Sequence, residues 1–139
     1  MNNIALANLE SSKLYINKNI LTLEVLNSVY NKTESTTILE YIKNFWIIAK
    51  ENKKKYHFII NIHNLGVYPL SLFTKIIKYL SEIEDIFKYH LHSSCVILNS
   101  ETFLSILKPL FNIYKPSRPF TFVKNKTDAF YYLKNNTLD

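Results

Sequence analysis

Residues 56–78 read YHFIINIHNLGVYPLSLFTKIIK, and the change of pattern within them decides the fold. Phe58-Ile59-Ile60-Asn61-Ile62 is an apolar run, rich in β-branched residues and without helical spacing, which predicts a strand buried on both faces. Asn64-Leu65-Gly66 follows and holds the only glycine of the chain, a turn signal. Pro69 suits the first position of a helix, where its missing N–H would have no partner in any case. Strand, turn and helix in this order make the βα unit of a parallel sheet. Ligands and partners meet such sheets at the carboxyl ends of the strands.

Working outward toward the N-terminus, Leu14 and Ile16, then Leu21, Leu23 and Val25, alternate with polar neighbours on either side of Asn17-Lys18-Asn19. That pattern predicts two antiparallel strands joined by a tight hairpin. Residues 1–12 show weak periodicity and read as a loose lead-in. After the polar stretch Asn31 to Thr37, Thr37 and Glu40 have capping-box spacing. Ile38, Ile42, Phe45, Trp46 and Ala49 then give a helix one apolar face.

On the other side, the helix opened by Pro69 runs to about Lys88 on a stripe that includes Phe73, Ile76, Leu80, Ile83 and Phe87. Tyr89 to His92 turns the chain into a strand over Ser94 to Leu98. Ser100 is the N-cap of a third long helix, which Pro109 should kink or restart. Phe120 to Val123 forms the last strand, and Asp128 to Leu133 a closing helix capped by Thr127 or Asn125. The expected order is β-β-α-β-α-β-α-β-α: a single α/β domain over 13–134, with a mostly parallel sheet, an N-terminal β-hairpin and a tail at 135–139.

Composition agrees with a globular chain. Of 139 residues, 47% are hydrophobic and 20% charged, a balance that supports a core without disulfides or metals. Cys95, the lone cysteine, excludes an intramolecular disulfide and reads as an inert core thiol. The N-terminal residues lack a basic segment followed by a long apolar one, and no apolar run reaches the roughly 18 residues of a membrane span. A cytoplasmic protein without a transmembrane segment is expected.

The net charge is +6, and every basic residue except Arg118 is a lysine. Lysines interleaved with Asn, Ile and Tyr are what AT-rich codons produce, which makes the charge a solvated surface. Attraction to nucleic acid or anionic lipid is the functional alternative. Dedicated phosphate binders carry more arginine, so no specific nucleic-acid partner is expected.

Enzymatic motifs are missing. A single glycine rules out a glycine-rich phosphate loop, and there is no G-x-S-x-G elbow. Glu82, Glu84 and Asp85 form the densest acidic group and read as a solvated helix face. His90 and His92 have a spacing seen in metal sites, but with no acidic or cysteine ligand close in sequence they read as a loop pair. His63, at the end of the central strand, is either a turn residue bonding backbone or a functional one. No catalytic residue, metal or cofactor is expected.

With this element order, the chain resembles the SpoIIAA-like fold shared by STAS domains and the lipid-binding lobe of CRAL-TRIO proteins. Phe120-Thr121-Phe122-Val123 followed by Thr127-Asp128-Ala129-Phe130 is similar to the final strand and helix of STAS domains. Where that family carries an Asp-Ser pair, with the serine phosphorylated in anti-sigma antagonists, this chain has Pro69-Leu70 and then Ser71. The segment from Ile60 to Gly66 is similar to the CRAL-TRIO "iDl.G" segment, with Asn61 for Asp. Tyr89 to Asn99, with Phe103 and Lys108-Pro109, is similar to a second segment of that family.

The STAS resemblance implies a non-catalytic regulatory or protein-interaction domain. Its partner would dock on the turn after the central strand, through His63, Asn64, Gly66, Tyr68, Ser71 and Lys75, with Ser71 as the phosphorylation site. The CRAL-TRIO resemblance implies instead a carrier of a hydrophobic small molecule or lipid. A pocket on the order of several hundred cubic ångströms beneath the sheet would favour the carrier, and a solid core the interaction domain.

Overall fold

The computed structural model describes residues 3–26, 32–63 and 70–137, with 70–72 described by backbone alone. In chain order the elements are β1 (Ile4–Asn8), β2 (Ser12–Asn17), β3 (Ile20–Val25), α1 (Lys32–Glu51), β4 (Tyr56–Asn61), α2 (Leu70–Glu82), α3 (Glu84–His90), β5 (Leu91–Ile97), α4 (Glu101–Tyr114), β6 (Phe120–Val123) and α5 (Lys126–Lys134). The six strands form one mixed sheet in the order β1-β2-β3-β4-β5-β6. β1, β2 and β3 pair antiparallel, and β3 to β6 pair parallel. Among the described residues no helix is long and apolar enough to cross a membrane.

Each parallel strand lies beside its predecessor, so the crossovers step in one direction. Right-handed crossovers of that kind keep their helices on one face of the sheet. Ile38, Ile42 and Trp46 of α1, Phe73 and Leu80 of α2, Phe87 of α3 and Leu107 of α4 accordingly share one core with Leu21, Phe58 and Val96. α5 follows the last strand and covers the opposite face, where Ala129 and Leu133 pack on Ile59, Cys95 and Ile97. β4 is therefore enclosed from both sides. Phe58 is buried toward the four-helix layer and Ile59 toward α5, as an uninterrupted apolar run requires. Trp46 is fully buried, edge-on to Phe87 at 5.0 Å between ring centroids.

Several boundaries differ from the sequence expectation. The lead-in contains β1, an edge strand that pairs Ile4 with Ile16 and has an irregularity between Ala5 and Ala7. α1 starts at Lys32, so Thr37 is inside the helix and donates its hydroxyl to the Thr33 carbonyl rather than capping. Glu40, its expected capping-box partner, instead accepts from the Tyr79 hydroxyl at 2.6 Å. The expected single helix to Lys88 divides at Ile83, a buried residue with φ −105° and ψ 14°. β5 begins at Leu91, before the expected Ser94. Pro109 lies within an unbroken α4, with Ser100 as its N-cap accepting from the Phe103 N–H. Asn125 caps α5 by accepting from the Asp128 N–H at 2.8 Å. Pro69 and the glycine turn lie outside the described residues.

Candidate functional site

The carboxyl ends of β3, β4 and β5 lie at one edge of the sheet, where the sequence places the docking turn. Asn61, the last residue of β4, bends the chain there: its side-chain Oδ1 accepts from the His63 N–H at 3.0 Å. Asparagine often folds a chain back in this way at a turn. His63 is exposed. Asn64, Gly66 and Tyr68 lie outside the described residues. Ser71 follows the first residue of α2, and its side chain is likewise outside the description. Lys75 lies further along α2, half-buried, and donates to Thr36 Oγ1 of α1 at 2.9 Å. That hydrogen bond ties α2 to α1.

Beneath this edge, α1, α2 and the sheet enclose a narrow cavity of about 80 Å³. Its walls are mostly apolar, with Ile38, Ile42, Ile60, Ile62, Phe73 and Ile76 among them. Ser11 and Ser12 stand at one end. Ser11 donates its N–H and its hydroxyl to Glu34 Oε1, at 2.9 and 2.7 Å. Those two bonds hold the Glu34 carboxyl below its ordinary range, the backbone one contributing most. Ser12 Oγ is buried and has no hydrogen-bond partner among the described residues.

A wider groove of about 450 Å³ runs along the α5 face, beside that helix and across β2, β3 and β4. Ile20, Ile59 and Phe130 give it apolar surface, and Tyr15, Thr22 and Asn61 polar groups. It exists because α5 is the one described helix on this face, and its packing falls on β5 and β6.

A buried polar cluster occupies the opposite end of the sheet, at the starts of β4 and β5. The β4–β5 register shifts between Tyr56 and Phe58, so His57 alone stands opposite both His92 and Ser93. Such a bulge turns two consecutive side chains toward one partner. His57 Nδ1 lies 2.8 Å from Ser93 Oγ, and the His57 ring faces that of His92 at 4.6 Å. Burial, with His92 adding to it, pushes His57 down to about 4. His92 is also lowered, by burial first and then by Lys55 and Arg118. Arg118, the only arginine, donates to the carbonyls of Leu91 and His92, both at 3.1 Å, and so braces the bulge.

The sequence motif His90-x-His92 does not place its two rings together. His90 ends α3 and its Nδ1 lies 2.9 Å from the Lys54 carbonyl oxygen, while His92 belongs to β5. Nor is the acidic group at 82–85 simply solvated. Glu84 accepts from the Tyr114 hydroxyl and from the Ser117 N–H and hydroxyl, joining α3 to the connection after α4. Cys95 is fully buried, and burial raises its thiol to about 12, far from a nucleophile. Among the described residues no three His, Cys, Asp or Glu side chains gather to hold a metal ion.

The orphaned Ser12 hydroxyl and the His57–Ser93 pair escape a reading of the sequence because both depend on strand register and helix placement. Compared with known proteins, the chain matches no family model, no curated protein and no solved structure.

Proposed function

We propose that this chain is a non-catalytic, STAS-like interaction domain that docks a protein partner at the carboxyl edge of β3, β4 and β5. The observation that carries the proposal is the size of the cavity beneath that edge. At about 80 Å³ it is several-fold smaller than the roughly 300–1,000 Å³ of a pocket for a larger ligand. A rigid edge backed by packed side chains suits a docking platform, because strand ends and loops present polar backbone groups on a fixed frame. Exposed His63 and half-buried Lys75 are the described members of the proposed surface.

Substituting His63 and Lys75 together by Glu should abolish recovery of a partner that wild type and Lys18→Glu both retain. Lys18 lies at the opposite end of the sheet, in the β2–β3 turn. Equal recovery by all three proteins would reject the proposed surface.

The CRAL-TRIO-like reading, a carrier of a hydrophobic or lipid ligand, draws support from the groove of about 450 Å³ beside α5. Mass spectrometry of lipids retained by the purified protein tests it. A stoichiometric lipid displaced by Ile59→Trp would favour the carrier over the docking domain.

A further inference from the structure

We propose that the groove beside α5 binds a flat, uncharged aromatic molecule that carries a carbonyl group at one end, with Asn61 as its anchor. Asn61 is the first observation. It is 8% exposed, and its side chain lines the groove. Its Oδ1 accepts from the His63 N–H at 3.0 Å, while its Nδ2 donates to nothing among the described residues. Unlike Ser12 Oγ and Trp46 Nε1, that amide nitrogen is not sealed from solvent. A largely buried polar group without a partner calls for an explanation. A carbonyl oxygen lying in the groove supplies one.

The floor sets the shape. Tyr15 pairs with Thr22, and Thr22 with Ile59, so the three cross β2, β3 and β4 in one row. Neighbouring strands lie about 4.8 Å apart, which makes this row a shelf about 10 Å wide. Tyr15 borders it on the β2 side and Phe130, half exposed, on the α5 side. A flat ring fits between two aromatic side chains, whose contacts with it add to simple burial. At about 450 Å³ the groove falls within the roughly 300–1,000 Å³ of small-molecule sites. It lies open on the surface of the sheet, so a ligand reaches it directly.

Charge makes the ligand neutral. Glu24 stands opposite Asn61 across the β3–β4 ladder, and Lys126 meets Glu24 at 3.8 Å. These two charges offset one another, and the Glu24 carboxylate opposes a second carboxylate beside Asn61. Lys18, the other charged group of the wall, belongs to the β2–β3 turn at the far end of β3, roughly 13 Å away. Asn3 and Asn17 stand toward that same end, and Asn17 donates to Asn3 Oδ1 at 3.0 Å. Asn61 is therefore the donor left for a neutral acceptor at the carboxyl end. This site goes beyond the docking proposal and stands without it.

The test is a titration with 2-naphthamide, 2-naphthoate and 2-methylnaphthalene, followed by the methyl NMR signals of Ile20, Ile59 and Ile97. In wild type, 2-naphthamide should shift these signals saturably and bind more tightly than the other two probes. Asn61→Asp keeps an acceptor for the His63 N–H and removes the amide donor. It should weaken 2-naphthamide about five-fold, as expected for one lost hydrogen bond, while 2-methylnaphthalene binds as before and reports an intact groove. If that variant does not fold, Asn61→Ser, whose hydroxyl can still accept from a backbone N–H two residues on, takes its place with the same expected result. Absence of a saturable shift, equal affinity for 2-naphthamide in wild type and variant, or binding of 2-naphthoate as tight as that of 2-naphthamide would each overturn the proposal.

Discussion

The imidazole rings of His57 and His92 lie 4.6 Å apart between centroids, their planes 33° from parallel. Two charged imidazoles at that distance in a buried place would repel strongly, so the fold disfavours the protonated form of each. His57 sits at about 4 in the fold, against roughly 6.5 when unfolded. Below about pH 6.5 the unfolded chain therefore binds the extra proton, and stability falls as pH drops toward 4. The lowering of His92 acts in the same direction. The His57 contribution amounts to roughly 3 kcal/mol over that window and is flat above it. Urea midpoints at pH 7.5, 5.5 and 4.5 check this: wild type should lose more stability on acidification than His57→Gln. Parallel losses would show that the cluster does not couple protons to folding.

Phe58 and Ile60 share a face of β4 and differ in enclosure, since Phe58 is 2% exposed and Ile60 only half-buried. Truncation of a buried phenylalanine costs about 3–5 kcal/mol, and a half-buried isoleucine belongs at the low end of about 2–5 kcal/mol. Phe58→Ala should thus destabilise more than Ile60→Ala in chemical denaturation. The reverse ranking would contradict the deeper enclosure of Phe58 within the shared core.

β4 was legible in the sequence because a strand enclosed on both faces must be apolar throughout, and Phe58 to Ile60 is. β1 was not, because an edge strand needs little burial: Ile4 is 62% exposed and only Ala7 of that strand is buried. The break at Ile83 was hidden by Ile83 itself. It is 4% exposed, so it continues the apolar stripe while its backbone leaves the helix. Asn64 and Gly66 read as a turn in the sequence but lie outside the described residues, and nothing local revealed that Lys75 would donate to Thr36. The His57–Ser93 pair depends on a bulge in the β4–β5 register, and register is a property of two strands together.

Ser71 lies one residue past the start of α2, whose first turn contains no acidic residue. A negative charge near a helix N-terminus stabilises by about 0.3–1 kcal/mol. Ser71→Glu should therefore raise the thermal midpoint slightly, and under the docking proposal it should also change partner recovery relative to Ser71→Ala. Identical recovery by wild type and both variants would remove Ser71 from any switch.

Site-specific photocrosslinking tests the docking proposal most directly. A photoreactive residue at position 63 should capture a defined protein partner, and the same residue at position 18, across the sheet, should not. Competition by unlabelled wild type should remove the adduct, and the His63→Glu, Lys75→Glu double variant should fail to compete. Capture from position 18 but not from position 63, or competition by the double variant equal to wild type, would contradict a partner surface at the carboxyl edge of β3, β4 and β5.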